Sequence, residues 1–290
     1  TKDRYEDLCR AIQSCLRLRG SVEVIVLDDG SEDPRYRKLA EQFPSISVFN
    51  DCSSRGYICR RNEGASLAKS DIIVSIDDDA ELRDPDLAAK LAVCFSDESV
   101  AVVAMPYIDV NKSERVKQEY YREELGAPMV HSYVGTAHAL RRASFLKLGG
   151  YREALVHQGE ERDYSIRVLA AGYRLVISDT EPLYHYESSR RSFERMDFFG
   201  RRNDIIFHFQ NTPFPSALIS LPKVVVGGIV HSFRVRRFSK MMAGMMCGLY
   251  ECFLTSKHPR HPVSQSVYRH FIKLLRSSIS RNDARNSTSL

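Results

Sequence analysis

No apolar run in this 290-residue chain reaches the roughly 20 residues that a membrane-spanning helix needs. The two longest, residues 216–232 and 241–254, stop short, and Pro222, Lys223 and a Gly pair interrupt the first. Paired cysteines are also lacking. The seven present (Cys9, Cys15, Cys52, Cys59, Cys94, Cys247 and Cys252) are scattered, odd in number and without CxxC spacing. With no secretory leader ahead of them, they point away from a disulfide framework and towards a reducing, cytoplasmic setting. Repeats and low-complexity tracts are missing except at the last ten residues, RNDARNSTSL, expected to form a loose tail.

What the chain does contain is ordinary in bulk and uneven in charge. An apolar fraction of 43% and a charged fraction of 27% suit a globular protein with a sizeable core, in one large domain or two smaller ones. The net charge of +5 conceals two halves. Residues 1–187 hold 25 Lys and Arg against 32 Asp and Glu, whereas residues 188–290 hold 17 against 5. The second part therefore faces something anionic.

Local patterning gives short strands alternating with helices. Residues 3–19 read as an amphipathic helix closed by Gly20, and VEVIVL (22–27) as a strand. Pro34 suits the first position of a helix reaching about Phe43. A short strand from Ile46 to Phe49 and a helix from Arg60 to Lys69 follow. Beyond the strand of 71–76 come a helix (86–95) and VAVVAM (100–105). This alternation predicts a doubly wound, mostly parallel α/β sheet. Residues 107–133 show no clean period; YVGTAHAL (133–140) reads as a strand and Arg142–Leu148 as a short helix. A helix over 160–171 and the strand RLVIS (174–178) lead to His185. Helical spacing then dominates 194–210, 216–233, 239–254 and 264–279. A sheet of this kind should open on a strand, yet Thr1 stands almost directly on a helix, so a preceding strand of about five residues is expected in the native protein.

The chemistry concentrates in DIIVSIDDDAEL (71–82), an apolar strand that runs into Asp77, Asp78 and Asp79. Adjacent carboxylates repel unless a cation shares their site, and a hard divalent ion is the usual partner. Asp28 and Asp29 end an earlier strand in the same way. Strand carboxyl ends share one edge of a parallel sheet, where open α/β folds bind ligands. A second carboxylate set, Glu160, Glu161 and Asp163 in GEERDYSIR, opens a helix, where negative charge is favoured.

In order, VLDDGSED, RRNEGASLAKSD, SIDDDAEL, GTAHAL, GEERDYSIRVLAAGY and His185 resemble family 2 glycosyltransferases of the GT-A fold, over roughly residues 1–187. That resemblance implies nucleotide-sugar binding by Thr1, Asp28, Asp29, Gly30, Ser31, Arg61, Asn62, Asp77 and Asp78. It implies Mg2+ or Mn2+ held by Asp77, Asp79 and His185, with Gly135, Thr136 and Glu160 on the acceptor side. The family commonly has Glu-Asp at the catalytic helix, and Glu161 stands here at the position of the base, with Asp163 as the alternative. The expected reaction is inverting transfer of a sugar from a nucleotide-diphosphate donor to a hydroxyl of a saccharide or lipid-linked acceptor, in cell-surface polysaccharide or glycolipid synthesis.

The expected domains are a GT-A unit over 1–187 and a basic helical extension over 188–290. Apolar helix faces beside FRVRRFSK (233–240) suit an anionic membrane surface at the inner face of the cell membrane, with no nucleic acid partner. Two other classes share some features. A phospho-receiver module also gathers acids around Mg2+, but it is about half this length and needs a Lys at a later strand end. A non-catalytic, membrane-associated binding protein is the other.

Overall fold

The structure, a computed structural model, describes residues 1–118, 122–124, 127–187 and 193–286. Helix α1 (Tyr5–Leu16) leads to β1 (Ile25–Asp28); a 3-10 turn over Pro34–Lys38, α2 (Leu39–Gln42) and β2 (Ser47–Asn50) follow. Asp33 caps that turn by accepting from the Arg35 N–H at 2.9 Å, with Pro34 at the first position. Next come α3 (Tyr57–Leu67), β3 (Ile72–Ser75), β4 (Ala80–Glu81), α4 (Leu87–Phe95) and β5 (Val100–Ala104). The aperiodic stretch holds short strands β6 (Tyr107–Asp109), β7 (Val116–Lys117), β8 (Arg122–Glu124) and β9 (Ala127–Met129). The α/β part closes with β10 (His138–Arg141), α5 (Arg142–Lys147), α6 (Glu160–Ala170), β11 (Arg174–Ile177) and β12 (Leu183–His185). Four helices complete the described chain: α7 (Phe193–Asn211), α8 (Ser216–Arg234), α9 (Phe238–Leu254) and α10 (Gln265–Asn286).

The sheets are mixed. β1 pairs parallel with β2, β5 with β11 and β6 with β12. β10, however, runs antiparallel between β3 and β5, in the six-strand order β3-β10-β5-β11-β9-β8. The reason is the excursion over 107–137. It starts and ends at the carboxyl edge, with His138 opposite Ala104, so the chain re-enters the sheet from that edge. The expected strand at 133–140 is therefore only His138–Arg141, and Val134 and Ala137 bridge across a turn holding Gly135 and Thr136. A smaller sheet, β4-β12-β6-β7, lies beyond the acidic end of β3 and carries His185.

β5 is buried at every position, and it divides two apolar layers. One layer includes Leu87, Leu91 and Phe95 of α4. The other joins Ile58, Tyr164 and Leu175 to Ile205, Ile206 and Cys252 of the helical part. Ile166 likewise meets Phe207 and Phe271. The helices thus close one face of the sheet. α10 runs through Asn286, so residues 281–286 are helical rather than a loose tail, and 287–290 lie outside the described residues. The boundary at 187/188 borders residues 188–192, which also lie outside them. α8 reaches 19 residues with Pro222 inside it. By length and composition it is the one helix among the described residues able to cross a membrane.

Candidate active site

The two acidic strand ends meet through the first four residues. The Thr1 amino group donates to the Leu27 carbonyl at 2.9 Å, and the Asp29 N–H donates to the Thr1 carbonyl at 2.9 Å. Tyr36 Oη accepts from the Arg4 N–H at 2.7 Å and lies 3.3 Å from Thr1 Oγ1. Arg4 then reaches across to Asp79 Oδ2 at 2.8 Å and Asp78 Oδ1 at 3.1 Å. Arg4 carries no signal in the sequence beyond its place at the start of a helix.

Within the β1 loop the two aspartates part ways. Asp28 Oδ1 accepts from the Ser31 N–H and hydroxyl at 3.1 and 2.6 Å, folding DDGS into a turn. Gly30 holds φ at +80°, and a Cβ there would lie 3.3 Å from the Ser53 and Ser54 backbone, so both conformation and space demand glycine. Asp29 points into the loop before α3. It accepts from the Ser54 hydroxyl, the Arg55 and Gly56 N–H groups, and Arg60 Nε at 2.9 Å. Burial works against that carboxylate, but these donors hold it below the usual range. Asp29 thus shapes the loop before α3. Buried Arg60, which also pairs with Asp51 and Glu63, is the loop's other anchor.

Asp77, Asp79 and His185 offer ligand atoms that all lie within 4.8 Å of one another. Asp79 Oδ1 is buried without a hydrogen-bond partner, 3.4 Å from His185 Nε2. An unsatisfied, buried carboxylate oxygen beside an imidazole is the donor set that a divalent cation completes. Burial disfavours the charged ring, but Asp79, Asp77 and Asp109 outweigh it and raise the His185 pKa. Asp109 stands behind the ring, Oδ1 4.0 Å from Nδ1.

Arg61 links this triad to the second carboxylate set. Its guanidinium donates to Asp77 at 2.6 Å and to Glu160 at 3.2 Å, and it lies over the Tyr57 ring. Glu160 is fully buried, receiving the Tyr57 hydroxyl at 3.2 Å, so it does not line an acceptor surface as its place in the sequence suggested. Glu161 is only half-buried. Burial raises the carboxyl pKa of both, and the like charge of Glu161 drives Glu160 highest. The Arg61 guanidinium works against that rise at both carboxyls. A Cβ on Gly135 would fall 2.7 Å from both Arg61 Nη1 and Glu161 Oε1, so glycine there lets the two side chains pass. Its neighbour Thr136 is buried, with Oγ1 unpartnered.

Two predicted residues do not join the site. Asn62 faces away from it and brackets the Tyr151 backbone, donating to its carbonyl at 2.9 Å and accepting from its N–H at 2.8 Å. Asp163 is buried among Arg152 (2.6 Å), Arg167 (3.0 Å) and Asn211 (3.0 Å), where it ties α6 to α7.

Residues 1–149 match the family model for Glycosyl transferase family 2. The chain belongs to that family. It is 26% identical over 243 residues to the O-antigen chain rhamnosyltransferase RfbN of Salmonella typhimurium, spanning 68% of this chain and 76% of that one. The pre-mycofactocin glycosyltransferase of Mycobacterium tuberculosis is 32% identical over 171 residues, 54% of this chain but only 36% of its own length. Among solved structures, S. aureus TarS 1–349 in complex with UDP-GlcNAc superposes with a TM-score of 0.63 at 14% identity, over 87% of this chain and 78% of that one. The mannosyltransferase PcManGT from Pyrobaculum calidifontis, in complex with GDP-Man and Mn2+, gives 0.54 at 15%, over 86% and 82%. The fold is therefore GT-A and the protein a glycosyltransferase, which removes the phospho-receiver reading.

One further element of the glycosyltransferase site comes from α7 and has no counterpart in the sequence motifs. Asn203 Nδ2 lies 2.9, 2.9 and 2.7 Å from the carbonyl oxygens of Leu155, His157 and Gln158 and shares its two N–H groups among them. These belong to the segment that delivers Glu160 and Glu161, in which Val156 and Gln158 hold positive φ. Residues other than glycine adopt that conformation only when their surroundings enforce it. Asn203→Leu removes the shared donor; Leu155 keeps the His157 N–H, so the loss falls on the half-buried His157 and Gln158 carbonyls, at about 1 kcal/mol each. The expected result is a fall in kcat of about tenfold or more with donor affinity retained, because the cation triad lies on other elements. Steady-state kinetics beside a donor-binding titration checks the split.

Proposed function

We propose that this chain moves a hexosyl or deoxyhexosyl group from a nucleotide-diphosphate sugar to an acceptor hydroxyl, inverting the anomeric centre. The observation that carries the reading is the placement of half-exposed Glu161 beside buried Glu160, linked through Arg61 to the Asp77–Asp79–His185 triad. Asp77, Asp79 and His185 would hold Mg2+ or Mn2+. When bound, that cation neutralises charge on the leaving nucleoside diphosphate.

Every other task falls to the chain's own residues. Thr1, Asp28, Gly30, Ser31 and Asp78 border the nucleoside. Glu161 takes the proton of the acceptor hydroxyl as its oxygen bonds to the anomeric carbon, with Glu160 buried beside it. The bond to the diphosphate breaks on the opposite face and its electron pair leaves with the diphosphate. Gly135 leaves room for Arg61 and Glu161, and Thr136, buried like Glu160, stands behind the acceptor side rather than on its surface.

RfbN is named for O-antigen rhamnosyl transfer, and the superposed structures hold UDP-GlcNAc or GDP-Man, which supports a nucleotide-sugar donor. A saccharide acceptor fits the O-antigen chain for which RfbN is named, and a lipid-linked acceptor at a membrane fits the basic helical part. Incubation of the protein and Mn2+ with a panel of nucleotide sugars, each beside a panel of saccharide and lipid-linked acceptors, should release nucleoside diphosphate from at least one pair. Release from none, by folded protein, contradicts the proposal.

The raised pKa of Glu161 gives a pH dependence. Glu161 works only when ionised, and its pKa is raised above the ordinary carboxylate value. Activity should therefore rise with pH through a limb displaced above that value and fall away as pH drops through it. A profile of kcat/KM against pH with its limb at or below the ordinary carboxylate range would remove Glu161 from the role.

A further inference from the structure

Helix α8 is apolar on both faces. It buries Ala217, Gly228 and Ser232, with Gly228 directly under Met245 of α9, and packs Leu221, Val224 and Val225 against the core. A second set of large apolar residues points the other way: Ile219, Val226, Val230 and Phe233 are 73%, 59%, 61% and 65% exposed. α9 adds exposed Met246 and Leu254. Single exposed apolar residues are common, but a continuous stripe along a helix marks a surface that something covers.

Charge says what covers it. From residue 205 to residue 250 the chain has no Asp or Glu, while Lys223, Arg234 and Arg236 are exposed along and at the end of the stripe. Two basic residues that composition alone would add are already engaged. Arg237 pairs with Asp197 at 3.4 Å and Lys240 with Glu194 at 3.2 Å. A second copy of this chain would meet the patch with the same acid-free surface across a twofold axis, leaving the arginines unneutralised. An anionic lipid leaflet supplies both an apolar layer for the stripe and phosphates for the cations.

We propose that the exposed face of α8, extended by α9, docks in the plane of an anionic bilayer, with Ile219, Val226, Val230 and Phe233 immersed and Lys223, Arg234 and Arg236 at the headgroups. This deepens the membrane-proximal acceptor reading, and its test does not depend on activity.

The chain has no tryptophan, so Val230→Trp creates a single fluorophore on the stripe. With vesicles of phosphatidylcholine and phosphatidylglycerol, its emission should shift to the blue and be quenched by acyl-chain-brominated lipid. Co-sedimentation should fall about fivefold for each charge removed in Arg234→Gln and Arg236→Gln. It should fall more than about tenfold in the triple variant Val226→Ser, Val230→Ser, Phe233→Ser. Vesicles of phosphatidylcholine alone should bind much less protein. These positions are already exposed, so circular dichroism and nucleoside diphosphate binding should be unchanged in every variant. Loss of nucleotide binding in the wild type would overturn the transferase reading and leave vesicle docking standing. A tryptophan that stays unshifted and unquenched, or a triple variant that sediments like the wild type, would overturn the docking. So would light scattering that shows a dimer dissociated by the triple variant, since the stripe would then be covered by a second copy.

Discussion

Glu161→Gln should lower turnover by a factor of roughly 10² or more, with donor binding intact. The amide keeps the size of the side chain and its passage beside Gly135, but it cannot accept the acceptor's proton. Asp163→Asn separates this from any general sensitivity of α6. Asp163 is 1% exposed and answers Arg152 and Arg167, so neutralising it strands two guanidinium groups and costs about 3 kcal/mol of stability. It should lower the melting temperature while the folded fraction keeps its rate. Should Asp163→Asn abolish turnover in folded protein and Glu161→Gln spare it, the two carboxylates have been given the wrong roles.

The second large effect concerns the cation triad. Asp79→Ala removes the carboxylate with the unpartnered buried oxygen and also releases Arg4 and His185. Nucleoside diphosphate affinity should fall about a hundredfold or more, the scale of several kcal/mol of charge stabilisation. Chelation of the wild type should do the same, and Glu161→Gln should not. A thermal-shift panel of nucleoside diphosphates, with Mn2+ or with EDTA, followed by calorimetry on the best binder, reads all three. Equal affinity with and without EDTA would falsify the role given to the triad.

The strands and the acidic edge were legible because their signals are local. Period-two apolar runs ending in Asp28-Asp29 and Asp77–Asp79 need no tertiary information to be placed at strand carboxyl ends. The family motifs placed His185 beside them. The fates of neighbouring side chains were not legible. One step along α3 rotates a residue by about 100°, which sends Arg61 into the site and Asn62 onto the Tyr151 backbone. One step along α6 likewise separates buried Glu160 from half-exposed Glu161. Asp163 is decided by Asn211, 48 residues away, and Asp29 by Arg60.

The helices of the second part lie where their periodicity put them, but their covered faces were not legible. Periodicity shows that a helix has two faces, not which one is covered. On α8 large apolar residues occupy both faces, Leu221, Val224 and Val225 against the core and Ile219, Val226, Val230 and Phe233 outside, so composition located the patch without its orientation. Nor does any local pattern around Asn203 announce a clamp on a loop 45 to 48 residues earlier.

The central claim is a single displacement at the anomeric carbon with Glu161 as the base. Its most direct test is the configuration of the first-formed sugar product, followed by proton NMR before mutarotation, from a turned-over donor given either acceptor or water. A product anomer opposite to that of the donor is predicted. A product with the donor's own configuration would contradict the account, because it requires two displacements and a covalent or ion-paired intermediate in place of base catalysis.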